Sequence, residues 1–337
     1  MATIKADAYG HGLIPVGKML AQEGADCFGV ASIDEGINLR ATGIKTPIVV
    51  LGLILKDDID PLFTYGLTPT VSSYDLASAL EKKARVLRQD IPVHVKVDTG
   101  MGRIGVQQTE ALGLIKKIRR LRRLVIEGLF THFAFADMDR EFTAYQIRLF
   151  NDLIVQLRKE GIQIPLIHAA NSMGILGYAD SHFTMVRPGL VLYGLHPMDK
   201  LPVRFKPVLS LKTKVVYAKR VAKGTGISYG HAYVTRRDTT IVTLPIGYGD
   251  GYPRNLSNTG PVLINGRRFT ISGRICMDQV MVDVGNTRVR SGDEAVLIGR
   301  QKDARISVEE LAALAGTIPY EIVCGLGSRI PRVYLPY

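Results

Sequence analysis

The chain has 337 residues, 46% hydrophobic and 22% charged, which is enough to bury one large core or two ordinary ones and excludes a disulfide-stapled miniprotein or a disordered tail. Cys27, Cys276 and Cys324 lack CxxC spacing, so they read as free thiols in a reducing, cytoplasmic setting rather than as disulfides or a zinc site. The balance of 43 Lys+Arg against 31 Asp+Glu, net +12, fits small anionic ligands or a charged surface as well as a polyanion, and no apolar run approaches the roughly 20 residues of a bilayer span.

Short apolar or β-branched runs begin at Ala2, Cys27, Pro47, Thr68, Val93, Ile126, Leu166 and Val186. Between them, Leu76 to Leu87, Glu110 to Leu121 and Phe142 to Glu160 repeat apolar residues at three and four, the spacing of a helix with one buried face. Strand followed by helix, repeated, predicts βα units and a parallel sheet. Eight such runs suit a closed (β/α)8 TIM-type barrel, and no GxGxxG fingerprint follows the first of them. The basic cluster Lys116, Lys117, Arg119, Arg120, Arg122 and Arg123 alternates with Leu and Ile and contains no aromatic platform, so a solvated helix face is expected rather than a nucleic-acid site. After Pro197 the texture changes to alternating strand-like runs with turn signals, including Asn265-Gly266, and only Ser307 to Ala315 reads as helical, with Ser307 and Glu310 spaced as a capping box. The expected domains are therefore a barrel over 1–198 and a mostly β domain over 199–337.

In such a barrel the strand C-terminal ends and their loops carry the chemistry. The first run leads into Lys5-Ala6-Asp7-Ala8-Tyr9-Gly10-His11-Gly12, and the fifth carries Lys96 and continues through Asp98 to Arg103. The sixth carries His132, the seventh Asn171 and Ser172, and the eighth Arg187 before Pro188-Gly189. A lysine inside a barrel strand is costly unless it is paired or chemically used.

The octapeptide from Lys5 to Gly12 resembles the pyridoxal-phosphate attachment segment of the alanine racemase family. Val93 to Gly105, Thr131-His132-Phe133, Ala170-Asn171-Ser172, Val186 to Gly189, Pro245 to Tyr252 and Gly273 to Gln279 are similar to further family motifs, in the family's order and across nearly the whole chain. The resemblance implies pyridoxal 5'-phosphate carried by Lys5, with Tyr9, Asn171, Ser172 and the amides around Gly189 and Leu190 on the cofactor side. It implies Arg187 against the pyridine nitrogen, His132 holding Arg187, Arg103 facing the cofactor's phenolic oxygen and the substrate carboxylate, and a carbamylated Lys96 orienting Arg103. No metal is implied.

Racemisation needs a proton carrier on each face of the substrate carbon. By resemblance these are Lys5 and Tyr248, the latter reaching the site from the partner subunit of a homodimer, with Met277 and Asp278 near the substrate carboxylate. Cys276 reads as a small buried residue. The implied function is interconversion of L- and D-alanine in the cytoplasm, supplying D-alanine for peptidoglycan, without nucleic-acid or membrane partners. Ser328, where some members carry tyrosine, keeps a serine or broad-specificity racemase open, and an inactive cofactor-binding homologue is the other alternative. Four residues precede Lys5, so the first strand is expected to be clipped and one outer helix to lack a source.

Overall fold

The structure, a computed structural model, describes residues 1–196 and 203–335. These form two compact units: the first holds Met1–Ala8 and Gly12–Leu192, the second Tyr9–His11, Tyr193–His196 and the chain from Arg204 onward. The boundary expected at 198/199 lies outside the described residues.

The first unit is built on parallel strands β1 (Ala2–Thr3), β2 (Phe28–Val30), β3 (Ile48–Val50), β4 (Thr68–Val71), β5 (Ile91–Asp98), β6 (Val106–Gln107), β7 (Leu124–Phe130) and β8 (Leu166–His168). The path runs β1-β2-β3-β4-β5-β7-β8, with the short β6 pairing only β5. The eighth position belongs to Met185–Pro188. Met185 bridges His168 in parallel, Arg187 N–H donates to Ala170 O at 2.8 Å, and Thr3 N–H donates to Pro188 O at 2.9 Å, so this segment joins β8 to β1. The ring of a (β/α)8 barrel is closed by irregular backbone there, because Pro188 and Gly189 interrupt a strand ladder. The strands are short and apolar because both faces are covered.

The helices match the expected periodicity, with ends set by caps. Ser73 Oγ accepts from Leu76 N–H to start Tyr74–Leu87, which buries Leu76, Ala77, Leu80 and Ala84. Asp139 starts Arg140–Lys159 in the same way, and that helix buries Phe150, Leu153, Ile154 and Leu157 among others. Each large apolar side chain so buried contributes about 1.5–3 kcal/mol. The helix expected over Glu110 to Leu121 is Gln108–Ile118. It stops early because Arg123 N–H turns to the Glu81 carboxylate (2.8 Å) and Arg123 pairs with Asp90 (2.9 Å), while Lys116 pairs with Glu160 (2.8 Å). The basic cluster is a helix end and a turn fastened by acidic neighbours.

The second unit is mostly β. Tyr217–Val221, Thr239–Leu244 and Val280–Gly285 form one antiparallel sheet. Pro261–Ile264, Arg267–Thr270, Glu294–Gln301 and Ala304–Ile306 form another, with Leu211–Lys214 on Glu294–Gln301. Asn265 (φ 54°) and Gly266 (φ 81°) make the tight hairpin joining Pro261–Ile264 to Arg267–Thr270. Ser307 caps Val308–Ala315 as expected, whereas the Glu310 carboxylate pairs with Arg268. A second helix, Pro319–Cys324, was not expected: six residues are too few for periodicity, and its one signal is proline in the first turn. Among the described residues, no helix is long and apolar enough to cross a membrane.

Candidate active site

Lys5 stands just past β1, at the head of an unusual turn. Ala6, Asp7, Ala8 and Tyr9 have φ of 53°, 53°, 52° and 54°, a run of non-glycine residues in the left-handed region. Each such residue costs about 1–2 kcal/mol, so the surroundings must impose the conformation. Ala8 N–H donates to Ile4 O and Gly12 N–H to Asp7 O, both at 2.9 Å. The Asp7 carboxylate accepts from Leu13 N–H at 2.7 Å, and Glu35 accepts from both Ala6 N–H (2.6 Å) and Ala31 N–H (2.7 Å). Glu35, which nothing in the sequence marked, is the strap on the lysine turn.

At the end of β5, Lys96 is 2% exposed, with Nζ 3.2 Å from Val97 O and 5.1 Å from the Phe130 ring centroid. Burial first, and the Arg187 charge second, push its amine well below the ordinary lysine value. The Asp98 carboxylate accepts from the N–H groups of Gly100, Met101 and Gly102 at 2.9–3.2 Å, which folds the loop that presents Arg103. Buried Gln146, also unmarked by sequence, joins the two strand ends: its amide nitrogen donates to Thr99 Oγ1 and His132 O, and its oxygen accepts from Ala134 N–H.

Arg187 is 4% exposed and held on several sides. Nη1 donates to His168 Nδ1 at 2.8 Å; Nη2 donates to Thr131 O and Ala169 O at 2.9 Å and to His132 Nδ1 at 3.2 Å. Arginine has no proton to lose under these conditions and no acceptor atom, so both imidazole Nδ1 atoms must be bare. The imidazoles are suited to that role. Burial, reinforced by Arg187, holds His132 and His168 well below the ordinary histidine value, and Lys96, Arg103 and Lys5 press His132 the same way. Positive charge from Arg187, Arg103 and Lys5 thus surrounds one neutral histidine.

Ser172 is 2% exposed; its Oγ accepts from Gly189 N–H at 3.1 Å and Val191 N–H at 3.4 Å, with buried Leu190 between them. Asn171 lies beside it but is occupied: its side chain accepts from Gly174 N–H at 2.9 Å and caps Ser172–Gly177.

The remaining expected residues lie in the second unit. Tyr9 packs against Tyr193 (5.0 Å) and Tyr320 (5.7 Å). Tyr248, 42% exposed, sits where two motifs meet: its N–H donates to Cys276 O at 3.0 Å and Gly249 N–H donates to Met277 O at 2.8 Å. The approach requires Gly247, since a Cβ there would lie 2.2 Å from Cys276 O. Arg329, another residue the sequence did not single out, reaches Asp278 (2.7 Å) and Asp250 (3.4 Å), so it ties Asp278 to the Tyr248 turn. Cys276 is half-buried rather than buried, because its loop forms this exposed edge. Ser328 is exposed in the turn beside Arg329.

The family described as "Alanine racemase, N-terminal domain" matches residues 1–197, and "Alanine racemase, C-terminal domain" matches residues 208–334. A curated alanine racemase of Halothermothrix orenii is 49% identical over 99% of this chain and 89% of its own length. Among solved structures, an alanine racemase of Clostridium difficile 630 superposes with a TM-score of 0.94 at 39% identity, covering 99% of this chain and 88% of that one. The alanine racemase from Bacillus anthracis with bound L-Ala-P gives 0.93 at 37% identity, over 99% and 88%.

Proposed function

The chain belongs to the alanine racemase family, pyridoxal-phosphate-dependent isomerases that interconvert L- and D-alanine, and we propose that in this activity Lys5 and Tyr248 are its two proton carriers. The family's role is to supply D-alanine for peptidoglycan. The observation that carries the reading is buried Arg187, held by His168, His132 and the carbonyls of Thr131 and Ala169 at 2.8–3.2 Å, with Lys5 and Arg103 adding positive charge around His132. Such a site fits an anionic cofactor and a substrate carboxylate, and the polar donors at Ser172, Gly189 and Val191 fit a phosphate.

When bound, pyridoxal 5'-phosphate supplies an electron sink that acidifies the substrate Cα–H. Every other task falls to the chain's residues. Lys5 would hold the cofactor at rest and, once the substrate has displaced it, would move the Cα proton on one face, while Tyr248 of the partner subunit would serve the opposite face. Two groups are needed because a single one returns the proton to the side it left. Arg103 binds the substrate carboxylate, oriented by Lys96 as its carbamate; burial favours the neutral amine, which is the form that attacks carbon dioxide. Met277 and Asp278 lie near that carboxylate from across the dimer, Asp278 being aimed by Arg329. Arg187 keeps its proton and would leave the pyridine nitrogen of a bound cofactor without one, with His132 as neutral acceptor behind the guanidinium. Tyr9 and Ser172 complete the phosphate side, with the amides of Gly189 and Leu190. We place the enzyme in the cytoplasm, in keeping with its free cysteines.

The test is D-alanine formation from L-alanine by wild type and Lys5→Ala, each loaded with cofactor, followed by borohydride and peptide mapping. Wild type should racemise and carry the reduced label on Lys5, and the variant should do neither. Label on another lysine, or unchanged turnover in Lys5→Ala, overturns the assignment.

A further inference from the structure

Behind Arg187 lies a chain of buried polar side chains that the proposed reaction does not use. His168 Nε2 lies 2.9 Å from His94 Nδ1, and His94 Nε2 lies 3.4 Å from Glu127 Oε2. Both histidines are fully buried, while the Glu127 side chain is 39% exposed. Together with the Arg187–His168 bond of 2.8 Å, the order is guanidinium, imidazole, imidazole, carboxylate.

Donor chemistry fixes the protons along it. Arg187 can only donate, so His168 Nδ1 is bare and neutral His168 carries its proton on Nε2. That proton points at His94 Nδ1, which leaves the His94 proton on Nε2, facing Glu127. The last link is longer than a well-formed hydrogen bond. His94 Nε2 is buried and makes no well-formed hydrogen bond, and the acceptor it faces is the Glu127 carboxylate. The Glu127 carboxyl is held below its ordinary value, first of all by His94.

The backbone is built for this contact. Val93 pairs with Ile126, but the next residue, His94, pairs with Gly128, which leaves Glu127 as the extra residue of a β-bulge between β5 and β7. Such bulges re-aim side chains beside active sites. A Cβ at Gly128 would lie 2.4 Å from His94 Nδ1, so glycine clears the space for the ring. Phe130 stacks on His168 at 4.7 Å and 6°, holding its plane. Bulge, glycine and stacked ring all serve one line of polar contacts.

We propose that Glu127, His94 and His168 are positioning residues for Arg187, a relay in which every proton points from the guanidinium toward Glu127 and which thereby sets the plane and donor strength of the arginine that faces the cofactor ring. The relay rests on the racemase reading for its purpose, though not for its existence.

The experiment uses 15N-histidine-labelled protein without cofactor, in wild type and Glu127→Gln, with thermal melts to confirm that both are folded. In wild type, His94 and His168 should both appear as neutral Nε2–H tautomers with downfield, hydrogen-bonded protons. In Glu127→Gln, which keeps size and removes the charge, both protons should move upfield, His94 more than His168. In the loaded enzyme the same variant should lower kcat by about tenfold, as outer partners of a functional group do, with KM nearly unchanged. A proton on His168 Nδ1, or His168 signals unmoved by Glu127→Gln, overturns the relay without touching the racemase reading. Intact relay signals in a protein that makes no D-alanine would overturn the racemase reading instead.

Discussion

Gly128→Ala is the sharpest structural test of the barrel interior. The nearest atoms to the added methyl are Nδ1, Cε1 and Cγ of His94, at 2.4–2.5 Å, and none can stay. The ring is fully buried and cannot swing into solvent. Overpacking of this kind costs about 1–3 kcal/mol, and leaving a buried imidazole nitrogen unsatisfied costs about 1–3 kcal/mol more. The sum is about 4 kcal/mol at mid-range. For a unit the size of residues 1–197, each kcal/mol lowers Tm by about 2–4 °C, so the expected loss is about 8–16 °C. Differential scanning fluorimetry measures it, and a cycle with His94→Ala isolates the cause. On the His94→Ala background, where the ring is gone, the added methyl should cost almost nothing. Equal costs on the two backgrounds would refute the reasoning, since the penalty would then not come from His94.

Tyr248→Phe should cut racemisation by about a hundredfold to ten-thousandfold, the range for losing a positioned proton carrier, while cofactor loading and dimer mass stay at wild type; loss of cofactor would argue for a binding role instead. Ser172→Ala should raise the cofactor dissociation constant with little change in the fully loaded kcat, read by fluorescence titration, because the hydroxyl accepts two backbone N–H groups and touches no reacting atom. Glu81→Gln tests the outer layer. Burial raises this carboxyl, but bonds from Arg85 (2.6 Å) and Arg123 N–H (2.8 Å) outweigh it and hold it below its ordinary value. A lowered folded-state value means stability that is present at neutral pH and lost as pH falls, so the Tm gap between wild type and variant should be open at pH 7 and closing below about pH 4. A gap that persists undiminished at pH 3 would contradict that sign.

The barrel was legible because its strands are buried on both faces and its helices on one, which writes two different periods into the chain. The residues at strand ends stood out for a related reason: Lys96 and Arg187 are expensive inside a barrel, so their presence asks for a use. What stayed hidden depends on register. Glu127 reads as an ordinary surface acid until the bulge at Val93 and His94 turns it inward. Gly128 carries no turn signal, since its role is to leave room rather than to bend the chain. His94 and His168 look like core histidines and are that as well. Arg329 became visible only when the chain's folding brought it to Asp250 and Asp278, positions far away in sequence.

The placement of charge follows from what Arg187 has to do. A carboxylate in direct contact would anchor it well, but at about 4 Å it would also cancel roughly 4 kcal/mol of local positive potential, weakening the site's hold on anions. Neutral acceptors avoid this. His132, His168 and the carbonyls of Thr131 and Ala169 orient the guanidinium through several bonds while leaving its charge in place. A partner on the far nitrogen reinforces the tautomer that Arg187 imposes, and this is where an acid becomes useful. Glu127 stands two imidazoles away, partly exposed, where it can accept the last proton without quenching the site. A carboxylate moved one ring closer, as in His94→Asp with its second acidic oxygen beside His168, should strengthen the hold on the ring yet lower the affinity for substrate and cofactor anions. If binding were unaffected by that change, the positive potential would not be what the barrel is built to protect.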